Sequence, residues 1–344
     1  MNEQGRQLPT FVPRLSDVPP PPQGREGWPW SVETTPAAPS GPSWPRISVV
    51  TPSYNQGQFL EQTIRSVLLQ GYPNLEYIVM DGGSTDESVE VIRRYEHLLA
   101  HWESEKDRGQ SHAINKGFAR STGDVLCWLN SDDFFLPGAL YAVALQHLQQ
   151  PFDFLYGGCL LRFEGDVPHD YTVRMPQVIR RTTEDLSVFD YIDQPSSFYS
   201  RRAWERAGPV DESLTYTFDW DFFIRIWREF PLRCTEAVYS AYRYHAGHKT
   251  GTGGERRAEE VVEIVRRHAG GDWAAAYEDV RANLYPAARA LLARWSWVTR
   301  HRGGWRVFAQ RRKALLAPYV RRHGEHKVHV ASIMLGIETV PRDS

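Results

Sequence analysis

Three short apolar runs, each followed at once by polar residues, decide the fold class of this chain. Residues 46–57 read RISVVTPSYNQG, residues 75–86 read LEYIVMDGGSTD, and residues 125–133 read VLCWLNSDD. Each run is rich in β-branched or aromatic residues, which predicts a buried strand. Apolar residues recur at helical spacing between the runs, within residues 59–68 and 89–95. This alternation predicts an α/β fold with a Rossmann-like, mainly parallel sheet flanked by helices.

The polar residues after the predicted strands indicate where a ligand binds. The first strand is expected to end at Thr51 and Pro52. Polar loops follow the three strands at residues 51–55, 81–85 and 130–133. Because ligands of open α/β sheets bind outside the carboxyl ends of the strands, these loops predict one binding site.

Composition and charge exclude several classes of protein. The 344 residues are 41% hydrophobic and 24% charged, which is typical of a globular chain and not of a disordered one. The formal net charge of -2 predicts no binding to nucleic acid. Cys127, Cys159 and Cys234 are isolated, so neither a disulfide framework nor a zinc-ligand spacing is present. We find no long apolar run and no secretory signal pattern, and we therefore predict a cytoplasmic protein.

The chain divides by pattern into three regions. Residues 1–45 are rich in proline, which lacks a backbone donor, and they predict a flexible arm. Residues 46–254 form the predicted main domain, whose regular alternation fades between the halves 46–150 and 151–254. Residues 255–344 predict a helical, basic C-terminal extension.

Two interpretations exist for the stretch 291–330, in which basic residues are interleaved with Trp295, Trp297 and Trp305. Arg and Trp on one helix face can contact an anionic membrane surface, which would place the protein peripherally at the inner face of a membrane. Alternatively, the basic residues form a solvated helix face above packed tryptophans. Pro318 interrupts a continuous amphipathic helix, which favours the second interpretation.

The sharpest chemical signal is the run NSDD at residues 130–133, directly after the third predicted strand. Adjacent carboxylates such as Asp132 and Asp133 repel each other unless a cation or hydrogen-bond donors lie between them. A divalent metal that holds a diphosphate is one solution, because hard cations prefer oxygen ligands. A capping turn, in which Asp133 begins a helix, is the other. These residues alone favour neither.

The ends of the first two strands bear on nucleotide binding. Asp81 would hold a ribose hydroxyl in a dinucleotide-binding fold, although an Asp at a strand end is more often a cap. Residues 51–57 have neither a GxGxxG nor a P-loop pattern, and they contain no Lys or Arg. Tyr54 instead offers a flat ring on which a base can stack.

Four motifs in this order and spacing resemble the family 2 glycosyltransferases across residues 46–250. They are TPSYN at 51–55, DGGSTD at 81–86, EKDRGQ at 105–110 with Ala113, Asn115 and Gly117, and NSDD at 130–133 with Pro137 and Gly138. The resemblance implies a GT-A fold, a nucleoside-diphosphate-sugar donor, a divalent cation (Mn²⁺ or Mg²⁺) and inversion at the anomeric carbon. It makes the first half of the main domain nucleotide-sugar-binding and the second half acceptor-binding.

The resemblance also implies roles for single residues of the first half. Asp132 would bind the metal. Asn130 replaces the first Asp of the family's DXD-type motif, and it would orient the ribose because an amide is a weaker ligand of hard cations. The residues expected to bind the nucleotide sugar are Thr51, Pro52, Tyr54, Asn55, Asp81, Asp107, Gly109, Asn130 and Asp133.

Two motifs of the second half resemble the catalytic and acceptor-side segments of the family. In FDWDFFIRI at residues 218–226, the alignment makes Asp219 the general base, and Asp221 is expected to be a helix-start carboxylate. In YRYHAGHKT at residues 242–250, His245 would complete the metal shell or contact the diphosphate. A purely structural role is the alternative for His245.

These features predict an inverting, hexosyltransferase-type enzyme of cell-surface polysaccharide or glycoconjugate biosynthesis, with a glycan or lipid-linked acceptor. A nucleotidyltransferase of related fold is one alternative, but it needs a basic, glycine-rich phosphate loop that residues 51–57 lack. A non-catalytic sugar- or nucleotide-binding module is another. Asp132, Asp133 and Asp219 argue against such a module.

Overall fold

The chain forms two compact units. A sheet unit comprises residues 1–181 and 191–248, and a helical unit comprises residues 182–190 and 249–344. The residues described by this computed structural model are 12–35, 43–164, 172–174, 185–284 and 316–335. The domain limits predicted from the sequence stay predictions.

A mixed sheet of nine strands forms the body of the sheet unit. The strands are β1 (Ile47–Ser53), β2 (Leu75–Asp81), β3 (His101–Ser104), β4 (Val125–Trp128), β5 (Phe134–Phe135), β6 (Phe154–Phe163), β7 (Thr172–Arg174), β8 (Ser197–Ser200) and β9 (Leu232–Tyr244). They lie in the order β3-β2-β1-β4-β8-β6-β9-β5, with β7 paired to β6. The first four are parallel, whereas β8 is antiparallel to both β4 and β6. The predicted α/β class is confirmed, and each antiparallel pair includes a strand from the half of the chain where the strand–helix alternation fades.

Helices cover both faces of the parallel strands. Side chains of a strand alternate between its two faces, so a continuous apolar run places apolar side chains on both. Val49 of β1 belongs to the core formed with Ile64 and Ile92, whereas Val50 points to the opposite face. There a Cβ added to Gly117 would lie 2.4 Å from Val50 Cγ1, so this close approach requires glycine. The helices of this unit are α1 (Gly57–Leu68), α2 (Ser88–Tyr95), α3 (Gln110–Arg120), α4 (Ala139–Gln149), α5 (Arg201–Ala207) and α6 (Phe218–Glu229).

The first strand is longer than predicted, because it continues through Pro52 to Ser53. Ser53 O accepts a hydrogen bond of 2.8 Å from Gly82 N on the β2 side. Residues of a parallel strand bond alternately to the two neighbours, so Pro52 faces the β4 side. Pairing with β4 ends at Val50, and the missing donor of Pro52 therefore breaks no ladder bond.

Residues 12–35 pack against α1, in contrast to the flexible arm predicted from their proline content. Arg65 of α1 is fully buried, and its guanidinium donates to the carbonyls of Pro19, Pro29 and Trp30 at 2.7, 3.0 and 2.9 Å. A segment without a regular hydrogen-bond ladder has its carbonyls free for such a donor. The docked arm is thus part of the sheet unit in these residues.

Side chains of the arm strengthen this docking. Trp28 Nε1 donates to Phe135 O at 2.7 Å, and Val18 lies in the same core cluster as β1. The Arg65 guanidinium also lies 5.4 Å from the ring centre of Trp30, within cation–π range. Residues 1–11 and 36–42 of the predicted arm lie outside the described residues.

The described part of the helical unit contains α7 (Lys249–Thr252), α8 (Gly254–His268), α9 (Gly271–Asp279), a π-helical turn (Val280–Leu284) and α10 (Glu325–Met334). The amphipathic α8 buries Val261, Val262 and Val265 on one face. The predicted helical character of the C-terminal region is confirmed in these elements.

None of the described helices has the length and apolar character needed to cross a bilayer. Residues 291–315, which contain most of the basic and aromatic stretch, lie outside the described residues. The peripheral membrane contact therefore stays a prediction.

Candidate active site

The turn at residues 130–133 follows β4 and is held by α1. Thr63 Oγ1 lies 2.9 Å from Ser131 O and 2.6 Å from Asp133 O, so one buried hydroxyl spans both carbonyls. Asp133 N donates to Asn130 O at 3.1 Å and closes the turn. This rigid support fixes the direction in which the Asp132 side chain leaves the turn.

Asp132 and His245, the two predicted metal ligands, lie side by side although 113 positions separate them. His245 Nε2 is 3.1 Å from Asp132 Oδ2, and 9% and 18% of the two side chains are exposed. The His245 ring packs at 4.6 Å from the ring of Phe59, which restricts its orientation. A carboxylate oxygen and an imidazole nitrogen therefore meet at a place that solvent reaches.

This pair fits a divalent cation that also binds phosphate. Carboxylate suits Mg²⁺ and Mn²⁺, and imidazole binds transition metals such as Mn²⁺. Among the described residues, no group of three or more His, Cys, Asp or Glu side chains forms a complete metal site. The open positions of a cation held by Asp132 and His245 would thus fall to diphosphate oxygens and water, as in many nucleotide-binding sites.

Asp133 is turned into the protein and is 0% exposed. Its Oδ1 accepts from Arg243 N at 2.9 Å, and its Oδ2 accepts from Asn130 Nδ2 at 3.3 Å. Burial, together with the neighbouring charge of Asp132, raises the pKa of Asp133 well above its usual value. This position favours support of the turn over the predicted contact with the nucleotide sugar.

Arg243 is the central residue of the site, although the sequence did not single it out. Its side chain is 3% exposed, and Nε donates to Asp132 O at 2.7 Å. Another guanidinium nitrogen donates to Gln62 Oε1 at 2.9 Å, and a third pairs with Glu164. The available signal was an Arg between aromatic residues in a buried strand, where a charge occurs only with partners.

The Asn130 amide lies in a chain of side-chain hydrogen bonds. Gln110 Nε2 donates to Asn130 Oδ1 at 2.7 Å, and Asn130 Nδ2 donates to Gln194 Oε1 at 3.0 Å. Gln194 Nε2 donates in turn to Trp128 O at 2.9 Å. Both ends of the Asn130 amide are therefore bonded within the protein, which favours a supporting role over its predicted contact with the ribose.

The predicted base-binding loop exposes one aromatic ring. Tyr54 is 61% exposed, as a stacking platform must be, whereas Thr51 is buried and hydrogen-bonds through Oγ1 with Tyr77 at 3.0 Å. Asn55 adopts a φ of 51°, and its Oδ1 accepts from Thr85 N at 2.9 Å. Asn tolerates this left-handed conformation better than most residues, so it shapes the loop beside Tyr54.

Asp81 organises the neighbouring turn. Its carboxylate accepts four hydrogen bonds, from Gly83 N, Ser84 N, Ser84 Oγ and Ser104 Oγ, at 2.6 to 3.1 Å. Ser84 Oγ also accepts from Asn55 N at 2.8 Å, which joins this turn to the Tyr54 loop. Asp81 is buried and fully bonded, so its geometry favours shaping the loop over holding the ribose.

Asp107 and Gly109 border the same edge of the sheet. Asp107 Oδ1 accepts from Gly109 N at 2.8 Å, and Gly109 has a φ of 118° that favours glycine. A Cβ added to Gly82, directly after β2, would lie 3.0 Å from Asp107 Oδ2. The Asp107 carboxylate is thus beside the end of β2, where a donor is expected.

Asp219 lies in the first turn of α6, and its Oδ1 accepts from Trp220 N at 2.8 Å. The β4 residue Trp128 lies 6.3 Å from the ring of Phe218 and stacks at 6.1 Å on Phe223. These contacts set the start of α6 beside the end of β4, from which the 130–133 turn begins. The predicted base and the predicted metal ligands therefore belong to adjacent elements.

Asp221 has a different environment from Asp219. It is buried, and its Oδ2 accepts from Arg225 Nε at 2.8 Å. The same guanidinium donates to Pro209 O at 2.9 Å, so the pair ties α6 to the preceding loop. This is a structural carboxylate at a helix start, as expected from the sequence.

Comparison with known proteins first gives the class of fold. Staphylococcus aureus TarS (residues 1–349, in complex with UDP-GlcNAc) aligns with a TM-score of 0.52 at 17% identity, covering 84% of this chain and 91% of TarS. The Pyrobaculum calidifontis mannosyltransferase PcManGT, in complex with GDP-Man and Mn²⁺, aligns with a TM-score of 0.52 at 19% identity, covering 88% and 89%. The predicted GT-A fold is confirmed.

Sequence comparison then gives the family. Residues 48–206 match the profile of "Glycosyl transferase family 2". A Mycobacterium tuberculosis (strain ATCC 25618 / H37Rv) protein named as the uncharacterized glycosyltransferase Rv1514c is 29% identical over 231 residues, 65% of this chain and 83% of its own length. TuaG of Bacillus subtilis (strain 168), named for teichuronic acid biosynthesis, is 30% identical over 136 residues, 39% of this chain and 54% of its own. Residues 48–206 thus form a family 2 glycosyltransferase domain.

Proposed function

We propose that this glycosyltransferase moves a sugar from a nucleoside-diphosphate-sugar donor to an acceptor hydroxyl, with inversion at the anomeric carbon. The observation that carries the proposal is the pair of Asp132 and His245, 3.1 Å apart at the end of β4. Such a pair suits a cation that binds diphosphate, and Asp219 belongs to an adjacent element. The exposed ring of Tyr54 supports a nucleotide as the rest of the donor.

Each group at the site has a separate task. Asp132 and His245 would hold the divalent cation, which would supply positive charge against the diphosphate leaving group. Asp133, Asn130 and Arg243 keep the turn of Asp132 in place through the hydrogen bonds described above. Only Asp132 of these turn residues thus presents a carboxylate to the donor.

Asp219 is the proposed general base. The acceptor hydroxyl forms a bond to the anomeric carbon while the bond from that carbon to the diphosphate oxygen breaks, and Asp219 takes the hydroxyl proton. Attack from the face opposite the leaving group inverts the anomeric carbon in one step. A positioned carboxylate in this role contributes about 10²–10⁴-fold in rate.

Tyr54 and Asn55 form the proposed base-binding loop, which the turn of Asp81 supports. The Tyr54 ring stacks on the nucleotide base, and the hydrogen bonds of Asn55 and Asp81 hold the loop in the conformation that exposes the ring. A prearranged loop lowers the ordering cost of binding. Thr51 and Pro52 contribute only as backbone of β1, which leads into this loop. Asp107 and Gly109 border the donor from the loop that follows β3.

Cell-surface polysaccharide assembly is the proposed biological role, with a hexose or a derivative as the transferred sugar. The support is the similarity to TuaG, whose name refers to teichuronic acid biosynthesis. A glycan or lipid-linked acceptor fits this role. A cytoplasmic setting with peripheral membrane contact through the C-terminal extension remains part of the proposal.

Release of nucleoside diphosphate tests this function. The purified chain is incubated with UDP-GlcNAc, GDP-mannose or dTDP-glucose, in the presence of Mn²⁺ or of EDTA, and free nucleotide is measured with water as acceptor. We expect release from at least one donor with Mn²⁺, and its loss in EDTA, because the leaving group then lacks its counter-charge. Equal release in EDTA would contradict the metal assignment, and no release from any donor would contradict the proposed function.

A further inference from the structure

One part of the EKDRGQ motif region has no role in the site described so far. Asn115 of α3 bonds to both backbone groups of Val210, because Nδ2 donates to Val210 O and Oδ1 accepts from Val210 N, each at 3.0 Å. A side-chain amide that pairs in both directions fixes a backbone segment as a strand partner does. Ser111 Oγ adds a bond of 3.3 Å to Leu214 O. Both ends of the segment 210–214 are thereby attached to α3.

Glu212 is the charged member of this attachment. Its Oε1 accepts from Asn115 Nδ2 at 3.1 Å, and its Oε2 accepts from Arg108 Nε and a terminal guanidinium nitrogen at 2.9 and 2.6 Å. Partial burial acts to raise the pKa of Glu212, but the bonds from Asn115 and Arg108 outweigh it and lower that pKa. Both oxygens of a charged carboxylate are therefore engaged.

The position of these residues in the chain links two parts of the proposed site. Arg108 lies between Asp107 and Gly109, which border the donor. Glu212 lies on the segment that leads directly into α6, and Asp219 is in the first turn of that helix. The Glu212 carboxylate thus joins the loop of Asp107 and Gly109, here called the donor loop, to the segment that precedes Asp219.

We propose that Glu212 is a positioning residue that sets the placement of Asp219 relative to the donor loop. This inference rests on the proposed function, since Glu212 acts through the base. An exposed ion pair adds at most about 1 kcal/mol to stability. A displacement of a catalytic group by about 1 Å, in contrast, can cost roughly 10²-fold in rate. The effect of Glu212 is therefore on turnover and not on stability.

Glu212→Ala tests this role, with Glu229→Ala as the matched control. Glu229 also pairs with an exposed Arg, at 3.0 Å from Arg206 Nε, but at the other end of α6. We expect Glu212→Ala to lower kcat for nucleotide release from the active donor by roughly 10–10²-fold, with donor KM and thermal unfolding midpoint unchanged. Glu212→Gln, which keeps the acceptor for Asn115, should recover part of kcat. The control should match the wild type.

A double-mutant cycle separates positioning from an independent effect. If Glu212 acts through the base, Glu212→Ala causes little further loss in an Asp219→Asn background. A full additional loss in that background, or a change confined to donor KM, would overturn the inference.

Amide hydrogen exchange tests the same inference without turnover. Glu212→Ala should speed exchange across residues 210–219, and Glu229→Ala should not. Unchanged exchange in this segment would overturn the role of Glu212 even if the proposed function holds. Absence of turnover in the wild type would contradict the proposed function instead.

Discussion

Replacing Asp219 with Asn is expected to lower nucleotide release by about 10²–10⁴-fold, because the acceptor then loses its general base. Asn has nearly the same shape, and its Oδ1 can still accept from Trp220 N, as Asp219 does at 2.8 Å. The first turn of α6 should therefore keep its conformation. Steady-state kinetics should show a fall in kcat, while nucleotide affinity measured by titration stays at the wild-type value.

Asp221→Asn is the control for this prediction. Asp221 is the other carboxylate of the same turn, and its partner is Arg225. Loss of this buried ion pair should reduce stability, but the folded protein should still release nucleotide far faster than Asp219→Asn. Full turnover in Asp219→Asn, or the larger loss in Asp221→Asn, would show that the base is assigned to the wrong residue.

Replacing Arg243 with Met is expected to lower the free energy of unfolding by about 3 kcal/mol, as removal of one partner from a buried ionic network does. The Asp132 carbonyl and Gln62 Oε1 would lose their donors, and the buried Asp133 would lose the favourable charge of the Arg243 guanidinium. Because the Asp132 carbonyl anchors the turn, Mn²⁺-dependent nucleotide binding should also be lost. Urea unfolding and nucleotide titration measure the two effects.

Arg206→Met is the matched control for Arg243→Met. The Arg206 and Glu229 side chains are 66% and 45% exposed, so their ion pair should contribute no more than about 1 kcal/mol. An Arg243→Met protein that binds nucleotide with Mn²⁺ as the wild type does would contradict the anchoring role. Equal stability losses in the two variants would contradict the buried network.

The parts of the fold predicted from sequence are those with a strong local pattern. The strands β1, β2 and β4 are short apolar runs, and apolar residues recur at helical spacing in the helices between them. The sequence therefore predicts that the site lies at the edge of the sheet formed by the carboxyl ends of these strands. The last residue of β1, Ser53, lies beyond the end predicted at Thr51 and Pro52, because the continuation past the proline depends on where the neighbouring strand β4 ends. That boundary is a property of the sheet and not of the run itself.

Contacts between residues that are distant in the chain are harder to predict from the sequence. The pairing of Asp132 with His245 joins residues 113 positions apart, and it was expected only from the family resemblance. The only sequence signal for the docking of residues 12–35 is tryptophans such as Trp28 and Trp30, because a proline-rich segment has no periodicity and its anchor, Arg65, reads as a surface residue of an amphipathic helix. Arg243 was missed for the same reason, since its partners come from separate elements.

The central claim is that Asp132 and His245 form a cation-dependent nucleotide site. Thermal unfolding with UDP, GDP or dTDP, each with and without Mn²⁺, tests it most directly in the wild type and in Asp132→Ala. A nucleotide at about 100 times its Kd should stabilise the folded protein by about 2.7 kcal/mol. We predict this shift for one nucleotide in the wild type, only with Mn²⁺, and its loss in Asp132→Ala. A shift that is equal without Mn²⁺, or that persists in Asp132→Ala, would contradict the claim.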